Sequence, residues 1–311
     1  MSRSSIIFWA WIFLFTILFS SIGARRSCAQ MLEAEQNSDH WPQTVLITND
    51  DGIEDPGLAA LAQAFAKFAE TYVVAPLQDR SGSAHYVSVY SKHFLKVEER
   101  AIGDGIRAYG VDGYPGDCTL LALQGLMREN PPDLVVTGIN SGPNLGFDWL
   151  ASGTIGAARL AAAWGVPAIA TSGLDADAPG ALAVVPQWVV QLARSEFVRS
   201  LDAGQYLTVS FPRSAPEEIK GVRVAERAGI LLDFSFSRVE GDSASDNTEI
   251  WVLNPPQPVP PVSAKSDAAL YSENYVIVVP MRADEHDREL LSRLLEDANA
   301  LPPWPELRSK K

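Results

Sequence analysis

Three groups of residues carry side chains and backbone donors that could bind a metal ion and an anion. The first is NDDG at residues 49–52, where Asp50 and Asp51 place two carboxylates side by side. Adjacent carboxylates repel each other, so one explanation is a divalent cation that neutralises both. The other explanation is structural, because Asp and Gly also end strands and cap helices. The tetrapeptide alone does not separate the two.

The other two groups are rich in hydroxyls, amides and backbone N–H groups. One is DRSGS at residues 79–83, whose backbone N–H groups, hydroxyls and Arg80 suit an oxyanion. The other is GINSGPNLG at 138–146, followed by SGT at 152–154. SGT opens a predicted helix, and the free N–H groups of a helix N-terminus attract anions. Each group taken singly is also compatible with an ordinary loop.

Short apolar segments precede these groups and predict the elements that position them. Strands are expected at residues 44–48, 72–76, 133–137 and 167–172, and helices at 58–69, 117–127 and 154–163. Buried strands that alternate with helices are typical of βαβ units with a right-handed crossover. The sequence therefore predicts an α/β fold with a doubly wound, mostly parallel, Rossmann-like sheet in three αβα layers.

In such a sheet, ligands bind beyond the carboxyl ends of the strands, and these ends converge at one edge. The three groups each follow a predicted strand, so we expect them to meet there. A divalent metal ion on carboxylates beside a phosphate-sized anion site is the pattern of a phosphomonoesterase.

Composition limits the partners of the chain. Its 311 residues are 47% hydrophobic and 20% charged, which indicates an ordered globular protein. The formal net charge of −13 argues against a nucleic-acid polymer as partner, because such binding requires a basic surface.

The first residues are typical of an export signal. The uncharged run 6–24 follows Arg3 and precedes small residues, so we interpret 1–29 as a signal peptide and expect a periplasmic or secreted protein. An uncleaved N-terminal membrane anchor remains the alternative. Residues 30–43 form a polar tether, and 44–311 a single α/β domain with its core sheet in 44–210.

The second half of that domain has a different character. Residues 213–265 are rich in Gly, Pro and Ser, with five prolines in 255–261, which excludes a continuous helix there. We expect irregular strands and hairpins that protrude from the sheet and serve in oligomerisation. A strand at 275–280 and an amphipathic helix at 284–298 complete the chain.

The motifs together resemble a known family. TNDDGI at 48–53, RSG at 80–82, GYPGDC at 113–118, and the GINSGPNLG and SGT motifs are similar, in order and spacing, to those of SurE, the survival-protein family of 5′/3′-nucleotidases. The similarity extends from about residue 44 to residue 172. It implies hydrolysis of nucleoside monophosphates with one divalent metal ion, Mg²⁺ or Mn²⁺, with short polyphosphate as a further substrate and acid phosphatase as a related activity.

The resemblance also assigns site residues. It implies a metal held by Asp50, Asp51, Ser81 and Asn140, which are all oxygen donors. It implies a phosphate pocket lined by Asn49, Gly82, Asn144, Ser152, Gly153 and Thr154. Asp50 and Asp51 are the candidate catalytic residues, and we favour Asp50 as the group that directs the attacking water. The resemblance also implies a homodimer or tetramer built through residues 213–265. The alternative to an enzyme is a non-catalytic, exported nucleotide- or phosphate-binding protein on the same fold.

Overall fold

The structure is a computed structural model, and it describes residues 41–239, 249–261, 263–285 and 287–296. The predicted signal peptide, most of the predicted tether and residues 240–248 of the segment predicted to protrude lie outside the described residues. The described residues from Pro42 onward belong to one compact unit. Within the described part of the chain, no helix is long and apolar enough to cross a membrane.

A nine-stranded sheet in the order β3-β4-β2-β1-β5-β6-β7-β13-β8 forms the centre of this unit. Its strands are β1 (Thr44–Thr48), β2 (Glu70–Pro76), β3 (Val97–Arg100), β4 (Ile106–Val111), β5 (Leu134–Asn140), β6 (Ala168–Ser172), β7 (Gln205–Ser210), β8 (Val222–Val224) and β13 (Val276–Arg282). All neighbours pair in parallel except β3 with β4 and β7 with β13.

Helices cover both faces of the sheet, which confirms the predicted three-layer α/β fold. They are α1 (Pro56–Phe65), α2 (Val89–Lys92), α3 (Pro115–Leu121), α4 (Gly153–Ala163), α5 (Ala181–Ala193), α6 (Glu196–Arg199), α7 (Asp267–Ser272) and α8 (Arg288–Glu296). Helices α3 and α4 pack on one another, as do α1 and α5. In the core, Leu46 and Val135 of the sheet contact the apolar residues of the α3–α4 layer.

Several predicted boundaries differ from those observed. The first helix ends at Phe65 because the chain turns there through hydrogen bonds from the Phe68 and Ala69 N–H groups to the Phe65 carbonyl. The helix predicted at 117–127 starts earlier, with Pro115 in its first turn, and changes to a π-helical turn at Ala122–Leu126. Strand β13 extends to Arg282, two residues beyond the prediction.

The segment predicted to protrude belongs partly to the sheet. Strand β8 pairs in parallel with one side of β13 and forms the edge of the sheet. The other side of β13 pairs with β7. The remaining short strands form two separate antiparallel pairs, β10 (Phe236–Arg238) with β11 (Trp251–Leu253) and β9 (Leu232–Asp233) with β12 (Gln257–Pro258).

Candidate functional site

Asp50 follows β1 directly, and its carboxylate lies at the N-terminus of α4. Its Oδ2 accepts a hydrogen bond from the Gly153 N–H at 3.1 Å, and its Oδ1 accepts one from the Thr154 hydroxyl. Both donors belong to the first turn of an 11-residue helix, where free N–H groups favour a negative charge. Burial is the larger influence and raises the pKa of Asp50 above its ordinary value. Asp50 is therefore an oriented carboxylate and a stronger base than a solvated one.

Asp51 comes from the same turn and has fewer donors. Its Oδ1 lies 3.5 Å from the Ser141 hydroxyl, and its Oδ2 is buried with no hydrogen-bond partner among the described residues. Burial, followed by the negative charges of Asp50, Asp55 and Asp79, raises the pKa of Asp51 to about 7. A buried carboxylate oxygen without a donor is unfavourable. A cation beside it would remove that cost.

Asn49 shapes the turn that carries the two carboxylates. Its side-chain amide donates to the Gly52 carbonyl at 3.0 Å, and its Oδ1 accepts from the Gly52 N–H at 3.1 Å. Gly52 has a φ of +111°, which a residue with a Cβ rarely adopts. The side chain of Asn49 is thus engaged within the turn, and its contact with phosphate stays a prediction.

The loop after β2 brings Ser81 to the same edge. Asp79 Oδ1 accepts hydrogen bonds from the Ser81 N–H at 2.7 Å and from the Ser81 hydroxyl at 2.6 Å. These bonds hold the pKa of Asp79 below its ordinary value. Arg80, which we expected to suit an oxyanion, instead donates to the Gly113 carbonyl and stacks 4.8 Å from the ring centre of Tyr114. The Arg80 side chain is therefore engaged within the fold, and anion binding by this loop stays a prediction.

The loop after β5 closes the site; we call residues 140–148 the pocket loop. Just before this loop, the backbone of Gly138 lies close to that of Thr171 on β6. Gly138 has a φ of +114°, and a Cβ there would lie 2.2 Å from the Thr171 carbonyl oxygen, so only glycine fits. Asn140 donates through Nδ2 to the Gly142 carbonyl at 2.6 Å. The Nδ2 of Asn144 is buried and has no partner in the described part of the chain. An unpaired donor of this kind suits an oxyanion.

These loops enclose a cavity of about 350 Å³. Its walls are Asp50, Ser81, Gly82, Asn140, Ser141, Gly142, Pro143, Asn144, Asp148, Ala151 and Ser152. Six of the predicted site residues thus share one cavity, although they come from four separate places in the chain.

Two predicted residues, Gly153 and Thr154, lie behind this wall, and Ser152 of the wall precedes them. Gly153 and Thr154 donate to Asp50, and Ser152 caps their helix by accepting from the Ile155 N–H at 3.0 Å. Gly153 leaves no room for a side chain, because a Cβ there would lie 2.6 Å from Ser83 Oγ. Direct contact of Gly153 and Thr154 with phosphate stays a prediction.

The donor set fits a divalent cation of the Mg²⁺ or Mn²⁺ type. No group of three or more His, Cys, Asp or Glu side chains with metal-binding geometry occurs in the described residues. The site offers two carboxylates, a hydroxyl and an amide oxygen instead, and such oxygen ligands suit hard cations. The partnerless Oδ2 of Asp51 is the structural observation that favours a cation here.

Two kinds of site residue escaped the sequence analysis. Asp79 lies within the predicted DRSGS group, yet its role as the acceptor for Ser81 depends on the loop conformation. Arg227 and Asp267 contact the pocket loop from distant parts of the chain. A lone Arg in a Pro-rich segment gives no signal of such a contact.

Comparisons with known proteins agree with this geometry. A family model described as survival protein SurE matches residues 45–230. A 5′-nucleotidase SurE 1 of Burkholderia lata is 35% identical over 257 residues, which cover 80% of this chain and 94% of the relative. A 5′/3′-nucleotidase SurE of Cronobacter sakazakii is also 35% identical and covers 84% of this chain and 99% of its own length.

A solved structure shares the fold as well. The SurE protein of Aquifex aeolicus matches with a TM-score of 0.67 and 26% sequence identity, over 82% of this chain and 100% of that structure. With the family model spanning the loops that build the cavity, and relatives matching over four fifths of the chain, this protein belongs to the SurE family.

Proposed function

We propose that this protein is a divalent-metal-dependent phosphomonoesterase that hydrolyses nucleoside 5′- or 3′-monophosphates to nucleoside and phosphate. The observation that carries the proposal is Asp50, a buried carboxylate held by two donors. It lines a cavity whose other wall residues offer oxygen ligands and include Asn144 with its unpaired Nδ2. The nucleotidase names of the relatives supply the substrate class.

Asp50, Asp51, Ser81 and Asn140 are the residues that would hold the metal ion. When bound, the ion supplies positive charge that polarises the phosphoryl oxygens and makes a water molecule more acidic. Asp50 lines the cavity, whereas Asp51 does not, so Asp50 is the carboxylate placed to orient an attacking water and accept its proton. The raised pKa of Asp50 suits this role, because the carboxylate holds a proton more readily than a solvated one.

The remaining wall residues provide donors for the phosphate. Gly82 contributes backbone, Ser152 lies at the N-terminus of α4, and Asn144 offers its unpaired Nδ2. These groups are fixed by loop and helix structure before the substrate arrives, which reduces the cost of orienting it.

Phosphate release tests the proposal. Protein stripped of metal should hydrolyse nucleoside monophosphates only after Mg²⁺ or Mn²⁺ is restored, and Asp50→Asn should abolish this turnover. Asp133→Asn is a matched control, because Asp133 accepts from the Gln43 and Thr44 N–H groups at the opposite end of β1. Saturable nucleotide binding without turnover under any metal would refute the enzyme and favour the binding protein.

Export of the protein and additional substrates are also proposals. We propose export through residues 1–29, on the composition of that segment alone. We also propose short polyphosphate and the phosphomonoesters used by acid phosphatases as substrates, because the donors proposed for this cavity would contact the phosphoryl group. Assays with tripolyphosphate and p-nitrophenyl phosphate across pH would check both.

We also propose a homodimer or tetramer formed through residues 213–265. Strands β10 and β11 leave large apolar side chains in solvent: Phe236, Trp251, Val252 and Leu253 are each 46% to 59% exposed. Contiguous exposed apolar surface of this kind is typical of an interface. Light scattering should show an oligomer, and Trp251→Ser should shift it toward the monomer.

A further inference from the structure

Arg227 joins three elements through its largely buried guanidinium. Nη1 donates to the Asn144 carbonyl at 2.9 Å and to Asp267 Oδ2 at 3.1 Å. Nη2 donates to the Thr208 hydroxyl of β7 at 2.6 Å. The pocket loop is thereby tied at Asn144 to a strand in the middle of the other half of the sheet.

Asp267 completes the attachment from the start of α7. The residue is fully buried, and its Oδ2 also accepts from the Gly146 N–H at 3.0 Å. Its Oδ1 accepts from the Ala228 N–H at 2.9 Å, and the Phe147 N–H donates to the Gly229 carbonyl at 3.3 Å. Three hydrogen bonds therefore connect this region to the pocket loop, and three more hold the connecting residues in place.

The position of these bonds within the loop matters. They hold the backbone of Asn144 and Gly146, whereas the Asn144 side chain carries the buried, unpaired Nδ2, and Asn144 is a residue of the cavity wall. Neither Arg227 nor Asp267 is part of the wall itself. Removing their bonds would free the loop backbone and spread the Asn144 amide over many orientations, which weakens a preorganised site.

We propose that Arg227 and Asp267 are a positioning pair that fixes the pocket loop so that Asn144 Nδ2 donates to a phosphate oxygen of the ligand. The inference rests on the proposed function, because it assumes that the cavity binds a phosphoryl group. The pair acts through Asn144 and touches no reacting atom.

Calorimetry with inorganic phosphate in the presence of Mg²⁺ tests the pair without relying on turnover. Arg227→Lys keeps the charge but loses the planar fork that reaches several acceptors. Asp267→Asn keeps the shape but removes the charge. Both should weaken phosphate binding about tenfold and raise KM for a nucleoside monophosphate, with a smaller change in kcat.

Val189→Ala is the control for a general loss of stability, because Val189 is fully buried on α5 and has no part in the site. It should lower the denaturation midpoint and leave phosphate binding unchanged. If the pair variants also lose only stability, the positioning role is wrong. Thr208→Val removes one acceptor of Arg227 and serves if the stronger variants do not fold.

Asn144→Ala provides a second readout. It should weaken phosphate binding in the wild-type background but add little in Arg227→Lys, because the amide is already misplaced there. Additive losses in the double variant would overturn the inference. Wild-type protein that binds phosphate but hydrolyses no nucleotide would refute the proposed function alone, and the effect of the pair on binding would still be measured.

Discussion

Replacing Thr154 by valine removes one of the two donors that orient Asp50. The Thr154 side chain is fully buried, so valine fills the same space and water does not replace the hydroxyl. The Gly153 N–H at 3.1 Å remains as the second donor. The perturbation is therefore confined to a single hydrogen bond to a carboxylate.

The size of the effect follows from that bond. Loss of a hydrogen bond to a charged group costs about 2 kcal/mol. If the bond serves to hold Asp50 for the attacking water, the same energy appears in the barrier, and kcat/KM falls about 30-fold. The free energy of unfolding should also fall, by about 2 kcal/mol or less.

The assay is phosphate release from a nucleoside monophosphate with saturating Mg²⁺, beside urea denaturation of each variant. Thr171→Val is the matched control, because its buried hydroxyl donates to the neutral Thr137 carbonyl at 2.8 Å and not to Asp50. It should lose stability and keep its activity. Thr154→Val with the kcat/KM of the wild type would refute the role assigned to the hydroxyl.

Three further predictions concern the same site. The folded-state pKa of Asp51, about 7, lies above its ordinary value of 3.8, so the fold favours the protonated form, and the associated stability is lost as pH rises through 7. The free energy of unfolding of metal-free protein, measured by urea denaturation, should therefore be lower at about pH 8.5 than at about pH 5.5. Asp51→Asn should reduce this difference, and an unchanged difference would contradict the prediction. Gly153→Ala should abolish activity while circular dichroism stays native, because its Cβ would lie 2.8 Å from Asp50 Cβ. Asp79→Ala should raise the Mg²⁺ concentration for half-maximal activity by freeing Ser81, and Asp79→Asn, which keeps an acceptor, should do so less.

Local sequence was sufficient for the parts of the fold that depend on neighbouring residues. The apolar run before NDDG predicts β1 because a buried strand needs continuous apolar side chains and a turn needs Asn, Asp and Gly. The same logic located β2, β5, β6 and α4 within a few residues. It did not predict β3, β4 or α5, because the pattern of apolar residues did not assign those segments to a strand or a helix.

The convergence of the three polar groups could also be anticipated. Parallel strands end at one edge, so groups that follow β1, β2 and β5 are brought together by topology. The cavity walls contain Asp50, Ser81 and Asn140, one from each group. The types of residue also indicated an oxygen-ligand site before any distance was known.

Only the tertiary structure decided which atoms are engaged and which are free. The sequence does not show that Arg80 stacks on Tyr114, or that Asn49 is bound within its own turn. It likewise does not show that Arg227 and Asp267, more than 80 residues from the loop positions they bind, hold the pocket loop. The physical reason is that hydrogen bonds depend on distance and angle, and for residues far apart in the chain these are set by packing of the whole sheet.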